Sequence, residues 1–340
     1  MEALLLALAL ASPAPYLGDA RDLVPLAPLA GAAVGDLDTE GDLTAILRGS
    51  LELQLSDGRG VAFGPAVDLL APGSTDFVNF RDVEIAGGQV FAVWSDDRNY
   101  EVALWPMVAR TLFLRVMNPA TGTLGPEIEV PSGYLPKNVS SNSLDLAVAE
   151  VAGAVHVHIA SHQRVLSTTT GAIDKQVVLY SSHDGGATWL APLAVTALGA
   201  TELGSVQVRA QGNTVHVGWT AQAGAFDKQL FHQSSLDGGA TTHLAAPQPV
   251  PGAGQVQEFA MDVDGQLLAF AASNFDGEFA YEYTGLVTSL DGGATYQTGW
   301  SVGDGDIGVR ITPGTLDVTA VARDSGIFGS PGLFTVHSAD

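Results

Sequence analysis

The chain has 340 residues, of which 46% are hydrophobic and 15% charged, and its formal net charge is −23. This length supports one large or two smaller domains, and this hydrophobic content excludes a disordered chain. So acidic a surface repels phosphate backbones and anionic lipid head groups, which excludes nucleic acid as a partner; the absence of cysteine excludes disulfides, zinc-thiolate sites, iron–sulfur clusters and thiol catalysis.

The first predicted element is an export signal. Residues 4–10 form an apolar run, and Ala9 and Ala11 give a small-residue cleavage pattern, with Glu2 where a basic residue is usual. Residues 1–11 therefore read as a signal peptide, followed by a single domain over 12–340. The expected location is secreted, cell-surface or bacterial periplasmic. No later run is long enough to span a bilayer, so no membrane insertion is expected.

Next comes "VGDLDTEGDLT". It places Asp36, Asp38, Glu40, Asp42 and Thr44 at positions 1, 3, 5, 7 and 9 of a loop, with Gly41 at position 6. Hard oxygen ligands at that spacing suit Ca²⁺, and the same spacing suits a solvated acidic turn. Leu47 stands at position 12, where a bidentate Glu is usual. Two strands and "SDGRGVAFGP" follow. Residues 34–69 resemble the FG-GAP repeat of integrin-alpha-type propellers, which implies a propeller blade and supports calcium. No other cofactor is expected.

"FRDVEIAGGQVFAVWSDDRN" then supplies two strands, and "TLFLRVMNPATGTLGPEIEV" a hairpin turning at "NPATG". After these, one short pattern recurs: "SSHDGGATW", "SLDGGATTH" and "SLDGGATYQ". Its aspartates are Asp184, Asp237 and Asp291, spaced 237−184=53 and 291−237=54. Equal periods of this size signal propeller blades. Each copy follows three strands and precedes a fourth, which makes a four-stranded blade. The C-terminal "IGVRITPGTLDVTAVARD" and "GLFTVHSA" give three strands, and the N-terminal "DLVPLA" supplies their fourth. Closure by both termini removes sheet edges. The expected fold is all-β: a six-bladed β-propeller of four-stranded antiparallel blades, at about 34–70, 78–131, 143–196, 204–250, 256–302 and 306–340 plus the N-terminal strand.

The recurring pattern resembles the Asp-box, or BNR repeat, of the sialidase superfamily. It is carried by Ser182, Asp184, Gly186 and Trp189, by Ser235, Asp237 and Gly239, and by Ser289, Asp291, Gly293 and Tyr296. The resemblance implies a turn between the outer strands of a blade, away from the active face. The chemistry of the residues agrees: Asp and Ser cap backbone N–H groups, and Gly accepts a tight backbone.

A sialidase-like enzyme would also carry three arginines for the sugar carboxylate, an acid/base Asp, and a Tyr nucleophile activated by a Glu. "FRDV" places Arg81 where the first arginine stands, with Asp82 and Val83 in place of Ile-Pro. Asp96 or Asp97 stands where the acid/base is expected. Residues 220–227 and the "YEYT" segment lack the other arginines, and residues 307–314 lack a Tyr. Glu202 lies near the family's Glu. The preferred reading is a non-catalytic module for a glycan or an extracellular protein. The alternative is an exo-α-sialidase-type hydrolase with a degenerate site.

In four-stranded blades the loops after the second strands open opposite the repeated turns. Here they are long and dissimilar, as recognition loops on a repetitive scaffold are. They carry Arg98, Tyr100, Trp105, Arg164, Phe226, Asp276, Glu278, Tyr281 and Tyr283, a mixture that suits sugar rings or peptide side chains. Asp276 and Glu278 read either as a hydrolytic carboxylate pair or as solvated acids. His156 and His158 share a strand face, as metal ligands do or as packed residues do, and no carboxylate accompanies them.

Overall fold

A computed structural model describes residues 34–48, 51–57, 62–70, 78–98, 110–133, 139–167, 171–199, 202–222, 228–251, 255–275, 282–302, 307–312, 314–316, 318–323 and 333–338. The described residues are all-β. The first sheet runs β1 (Val34–Glu40), β2 (Leu43–Arg48), β3 (Glu52–Ser56), β4 (Val67–Asp68). The second contains β5 (Val78–Ala86), β6 (Gln89–Asp96), β7 (Thr111–Asn118), β8 (Thr123–Leu124) and β9 (Ile128–Glu129). The third is β10 (Val139–Val151), β11 (Ala154–Leu166), β12 (Ile173–Ser182), β13 (Leu193–Ala194). The fourth is β14 (Leu203–Gln211), β15 (Thr214–Gln222), β16 (Lys228–Ser235), β17 (Gln248–Pro249). The fifth is β18 (Gln255–Asp264), β19 (Leu267–Phe275), β20 (Glu282–Ser289), β21 (Gln297–Val302). The sixth has three described strands, β22 (Ile307–Ile311), β23 (Val318–Arg323) and β24 (Leu333–Ser338).

Two compact units divide the chain. One holds the residues through Val157 with Gln163–Ile173 and Ser182–Pro192; the other holds His158–His162, Asp174–Ser181 and the chain from Leu193 onward. In each, the second strand of a sheet is covered on both faces: β6 and β15 are buried along nearly their whole length. Such strands read as continuous apolar runs rather than alternations. In the first unit Leu47, Leu53 and Leu69 pack with Val83, Trp94 and Phe113. In the second, Leu230 and Val250 pack with Phe259, Met261 and Phe270, and Ala269 and Leu286 with Ile311 and Val318.

The second sheet departs from the four-strand expectation. Both β8 and β9 pair with β7, giving five strands. Between them the Gly125 amide donates to the Val116 carbonyl, and a Cβ on Gly125 would press on that oxygen. A glycine lets the outer chain turn back onto β7 twice.

First strands are tied to one another by side chains. Asp36 Oδ2 accepts the Val83 amide at 2.8 Å, and Asp38 Oδ2 accepts the Ile85 amide at 2.7 Å. Asp82 Oδ2 accepts from Leu146 at 2.6 Å. In the second unit Gln207 Oε1 accepts from Met261 at 2.9 Å, and Asp262 Oδ2 accepts from Ile311 at 2.7 Å. Each bond satisfies an amide that the sheet's own ladder leaves over.

This arrangement places the residues of the calcium-loop expectation on a hairpin. Asp36, Asp38 and Glu40 lie on β1, Asp42 on the turn and Thr44 on β2, in a hairpin with Asp38 opposite Ala45 and Glu40 opposite Leu43. Alternation on a strand sends Asp36 and Asp38 to one face, where they bind backbone amides. Thr44 is buried. Among the described residues no group of three or more His, Asp or Glu side chains converges as metal ligands.

Protonated Asp82 also donates a hydrogen bond to Asp36. Burial, then the Asp36 charge, raises the Asp82 pKa well above the ordinary carboxylate value. An unfolded Asp loses its proton near 3.9, while the folded one keeps it. This contribution is therefore complete below about pH 3.9 and is lost as pH rises toward the folded value, by up to ~1.4 kcal/mol per pH unit. Asp82→Asn mimics the protonated side chain. Its melting temperature relative to the natural protein is expected to climb from pH 4 to pH 7; parallel curves would sink this assignment.

Candidate functional site

The two ends of the sheets carry different chemistry. At one end lie the three repeated turns, between third and fourth strands. In the first, Ser182 Oγ donates to Asp184 Oδ1 at 2.8 Å and accepts the Gly186 amide at 2.8 Å. Asp184 in turn accepts the Thr188 amide at 2.7 Å and the Thr188 hydroxyl at 2.6 Å. The same four bonds recur around Asp237, at 2.7, 2.9, 2.9 and 2.6 Å, and around Asp291, at 2.8, 2.8, 2.8 and 2.6 Å.

Donated bonds favour the ionised form. The threonine hydroxyl first, then the neighbouring amide, holds the Asp184 carboxyl below its ordinary range. Asp237 and Asp291 are pushed down to about 2, again chiefly by the threonine hydroxyl. A carboxyl that acidic, with its oxygens occupied by its own turn, is unsuited to general-acid work near neutral pH. The second glycine of each turn presses on a third strand: a Cβ on Gly186 would meet Leu114, on Gly239 Ser181 and Leu179, and on Gly293 His232. Trp189 lies beneath Gly186, and the Tyr296 hydroxyl beneath Gly293.

At the other end of the second sheet, Val78 pairs with Asp96 and Asp96 with Thr111. This brings Arg81, Asp96, Asp97, Arg98 and Arg110 to one end of one sheet. Asp96 is wholly buried. It accepts Trp94 Nε1 at 3.0 Å and Arg98 Nε at 2.9 and 3.0 Å, and Arg98 Nη2 lies 2.5 Å from it. Arg98 also pairs with Glu127, and its guanidinium stacks 3.9 Å above the Phe113 ring. Burial opposes the Arg98 charge, but Asp96 and then Glu127 outweigh it, and the pKa is raised.

These contacts place two of the expected site residues: Asp96 is held in a buried clamp, and Arg98 is its partner there. The physical reason is shared: a buried carboxylate demands a charged partner, and the nearest arginine supplies it.

Beside the clamp stand Asp97, Arg110 and Arg164. Arg110 precedes β7, and its carbonyl accepts the Ser141 amide at 3.2 Å. Arg164 lies near the end of β11. Burial lowers the Arg110 pKa; Asp97 opposes this and Arg164 adds to it, so the three charges act on one another. Arg81, opposite Trp94, and Arg164 are each half-buried with Nε enclosed and without a hydrogen-bond partner. The other arginines with described contacts are engaged: Arg48 with Gln54, Arg115 with Gly125 and Leu69, Arg209 with Val208, and Arg310 near Asp262.

In the second unit Glu202 pairs with Lys175. His158 Nδ1 bonds Ser181 Oγ at 2.9 Å; in the first unit His156 stacks on His183. Tyr283 sits on β20 opposite Asn274. Tyr100, Trp105, Phe226, Asp276, Glu278 and Tyr281 lie outside the described residues, as do the export signal and the N-terminal strand. Sequence reasoning missed Arg110 and Glu127; a basic residue opening the third strand of the second sheet was the available signal.

No family model and no curated protein matches this sequence. Among solved structures, the polysaccharide lyase Uly1 is 10% identical, with 90% of this chain and 76% of that chain covered at a TM-score of 0.52. A point mutant of the NanB sialidase from Streptococcus pneumoniae is also 10% identical, covering 86% and 64% at 0.48. An alpha-L-arabinanase from Penicillium chrysogenum, complexed with arabinobiose, is 14% identical, covering 76% and 77% at 0.45. The likeness to the lyase is one of fold.

Proposed function

We propose that this chain is an exported β-propeller, its successive sheets the blades, that binds an acidic glycan without cleaving it. The ligand end is the one opposite the repeated turns, and Arg81, Arg110 and Arg164 with Asp97 form its charged part. One observation carries this reading. In a chain of net charge −23, arginines gather at one end of the first unit, two of them with an enclosed Nε unused by protein. A guanidinium not spent on a protein carboxylate keeps its Nη donors for the planar, two-oxygen contact of a carboxylate or sulfate. The fold shared with a polysaccharide lyase supports a carbohydrate ligand. The commitment of Asp96 to Arg98 and Trp94 supports binding rather than hydrolysis, because it removes the better-placed acid.

Binding to an array of neutral and acidic glycans tests this. Acidic glycans are expected to bind and neutral ones not, with no product formed. Arg164→Ala should weaken binding about 10- to 100-fold, the loss of one charged hydrogen bond or two. Equal binding of neutral glycans, or an unchanged affinity in both Arg81→Ala and Arg164→Ala, would refute it.

A further inference from the structure

Under the third repeated turn lies a buried chain of titratable side chains that the ligand end does not use. His216 on β15 and His232 on β16 are 1% and 0% exposed. His216 Nδ1 and His232 Nε2 are 3.0 Å apart, and His232 Nδ1 lies 2.9 Å from the Tyr296 hydroxyl. Phe270 and Tyr296 meet the His232 ring edge-on. Gly293 rests on the same imidazole, so closely that a Cβ would overlap Cε1 and Nδ1. His232 stands three residues before Ser235 of the second repeat, where the other two repeats carry Leu179 before Ser182 and Leu286 before Ser289. Histidine replaces an apolar residue at this one place, under this one turn.

We propose that the His216–His232–Tyr296 chain is an acid-operated latch, which holds the third turn against β16 near neutral pH and releases it as the pH falls.

In the neutral state one N–H is shared between the two rings, and His232 and Tyr296 share another hydrogen bond. A first added proton puts a cation beside Phe270. A second sets N–H against N–H across the 3.0 Å gap between the rings. Either is relieved by moving His232 toward water, and Gly293 stands in the way. The charged groups that bear on the pair are few. From β15 there is His216 itself, from the segment after the second turn His243, and from the third turn Tyr296 and Asp291. His243 disfavours protonation of His216, and the charge of Asp291 reaches Tyr296.

Burial, then His216, holds His232 well below the usual imidazole range, and burial, then His243, pushes His216 down to about 4. An unfolded imidazole protonates near 6.5. The contribution is thus complete above about pH 6.5 and is lost as pH falls toward 4, by up to tenfold per pH unit for each proton. Asp291, titrating at about 2, stays ionised throughout. Release of the turn breaks the bond its Gly292 amide donates to the Gln266 carbonyl at 2.9 Å and opens its other amides to water.

Hydrogen exchange of the full chain, read by peptide and corrected for intrinsic rate, provides the test. Between pH 7 and pH 4.5, residues 289–296 are expected to lose at least tenfold protection. Residues 182–189 carry His183, stacked on His156, but their glycine rests on Leu114, so their loss should be several-fold smaller. His232→Leu, which copies the neighbouring repeats, should abolish the difference. Tyr296→Phe should lower protection of the third turn several-fold at pH 7. Loss of protection in both turns in step would overturn the latch even if His232→Leu fails to fold. So would a pH response surviving in His232→Leu, or unchanged protection in Tyr296→Phe.

Discussion

Arg98→Ala is expected to destabilise the protein by about 3 kcal/mol or more, the usual consequence of stripping the partner from a buried ion pair. Asp96 is wholly enclosed, and after truncation, among the described residues, only the Trp94 indole N–H and the Arg98 amide still reach it. The stacking of the guanidinium on Phe113 disappears with it. Glu127→Ala removes the outer partner, which is nearer solvent, and should cost about 1 kcal/mol or less. Chemical denaturation of the two variants checks the contrast; equal losses would mean that the pair acts as a surface salt bridge. Asp96→Asn combined with Arg98→Ala should recover part of the loss, since no uncompensated charge then remains inside. The clamp also sets the path of the chain into Asp97. Acidic-glycan binding by Arg98→Ala should therefore weaken even under conditions where the variant stays folded.

The strands were legible in the sequence because each leaves a local mark, alternation or an apolar run ending at a Gly turn. The repeated turns were legible because Ser, Asp, Gly and Thr at fixed offsets permit few hydrogen-bonding schemes. The residues around Asp36 left two readings open for a physical reason. Acids at every second position serve equally a calcium loop and one face of a strand, and the apolar run from Leu43 that makes the hairpin is a signal of pairing, not of metal. The Arg98 clamp was not legible because burial of Asp96 depends on Trp94 and Phe113, which arrive from two strands. The acid or amide preceding an apolar residue in the first strands (Asp36, Asp82, Gln207, Asp262) becomes a pattern only when the repeats are aligned on those strands. His232 gave no signal until Leu179 and Leu286 were set beside it.

Adjacent glycines in the first turn should respond very differently to the same change. Gly185 has φ 69° and open space where a Cβ would stand. Gly185→Ala therefore meets only the left-handed backbone penalty, about 1–2 kcal/mol. Gly186 has φ 93°, farther from the region that other residues tolerate, and its Cβ would run into Leu114 of β7, with Ile128 and Trp189 close by. Gly186→Ala adds overpacking of about 1–3 kcal/mol, for a total of roughly 3 kcal/mol or more. Equilibrium denaturation of both variants decides the matter, and similar losses would mean that only backbone conformation counts. Leu114→Ala should rescue part of Gly186→Ala but none of Gly185→Ala, a coupling measurable in a double-mutant cycle. The distinction bears on what the turn is for. If the coupling is found, the carboxylate of Asp184 serves to fix the loop, and the loop serves to let Gly186 lie flat on a neighbouring strand. Gly239 on Ser181 and Gly293 on His232 repeat that contact in the second unit. The turn most easily mistaken for an active-site fragment is then a packing device, and in its third copy an imidazole lies directly against its second glycine.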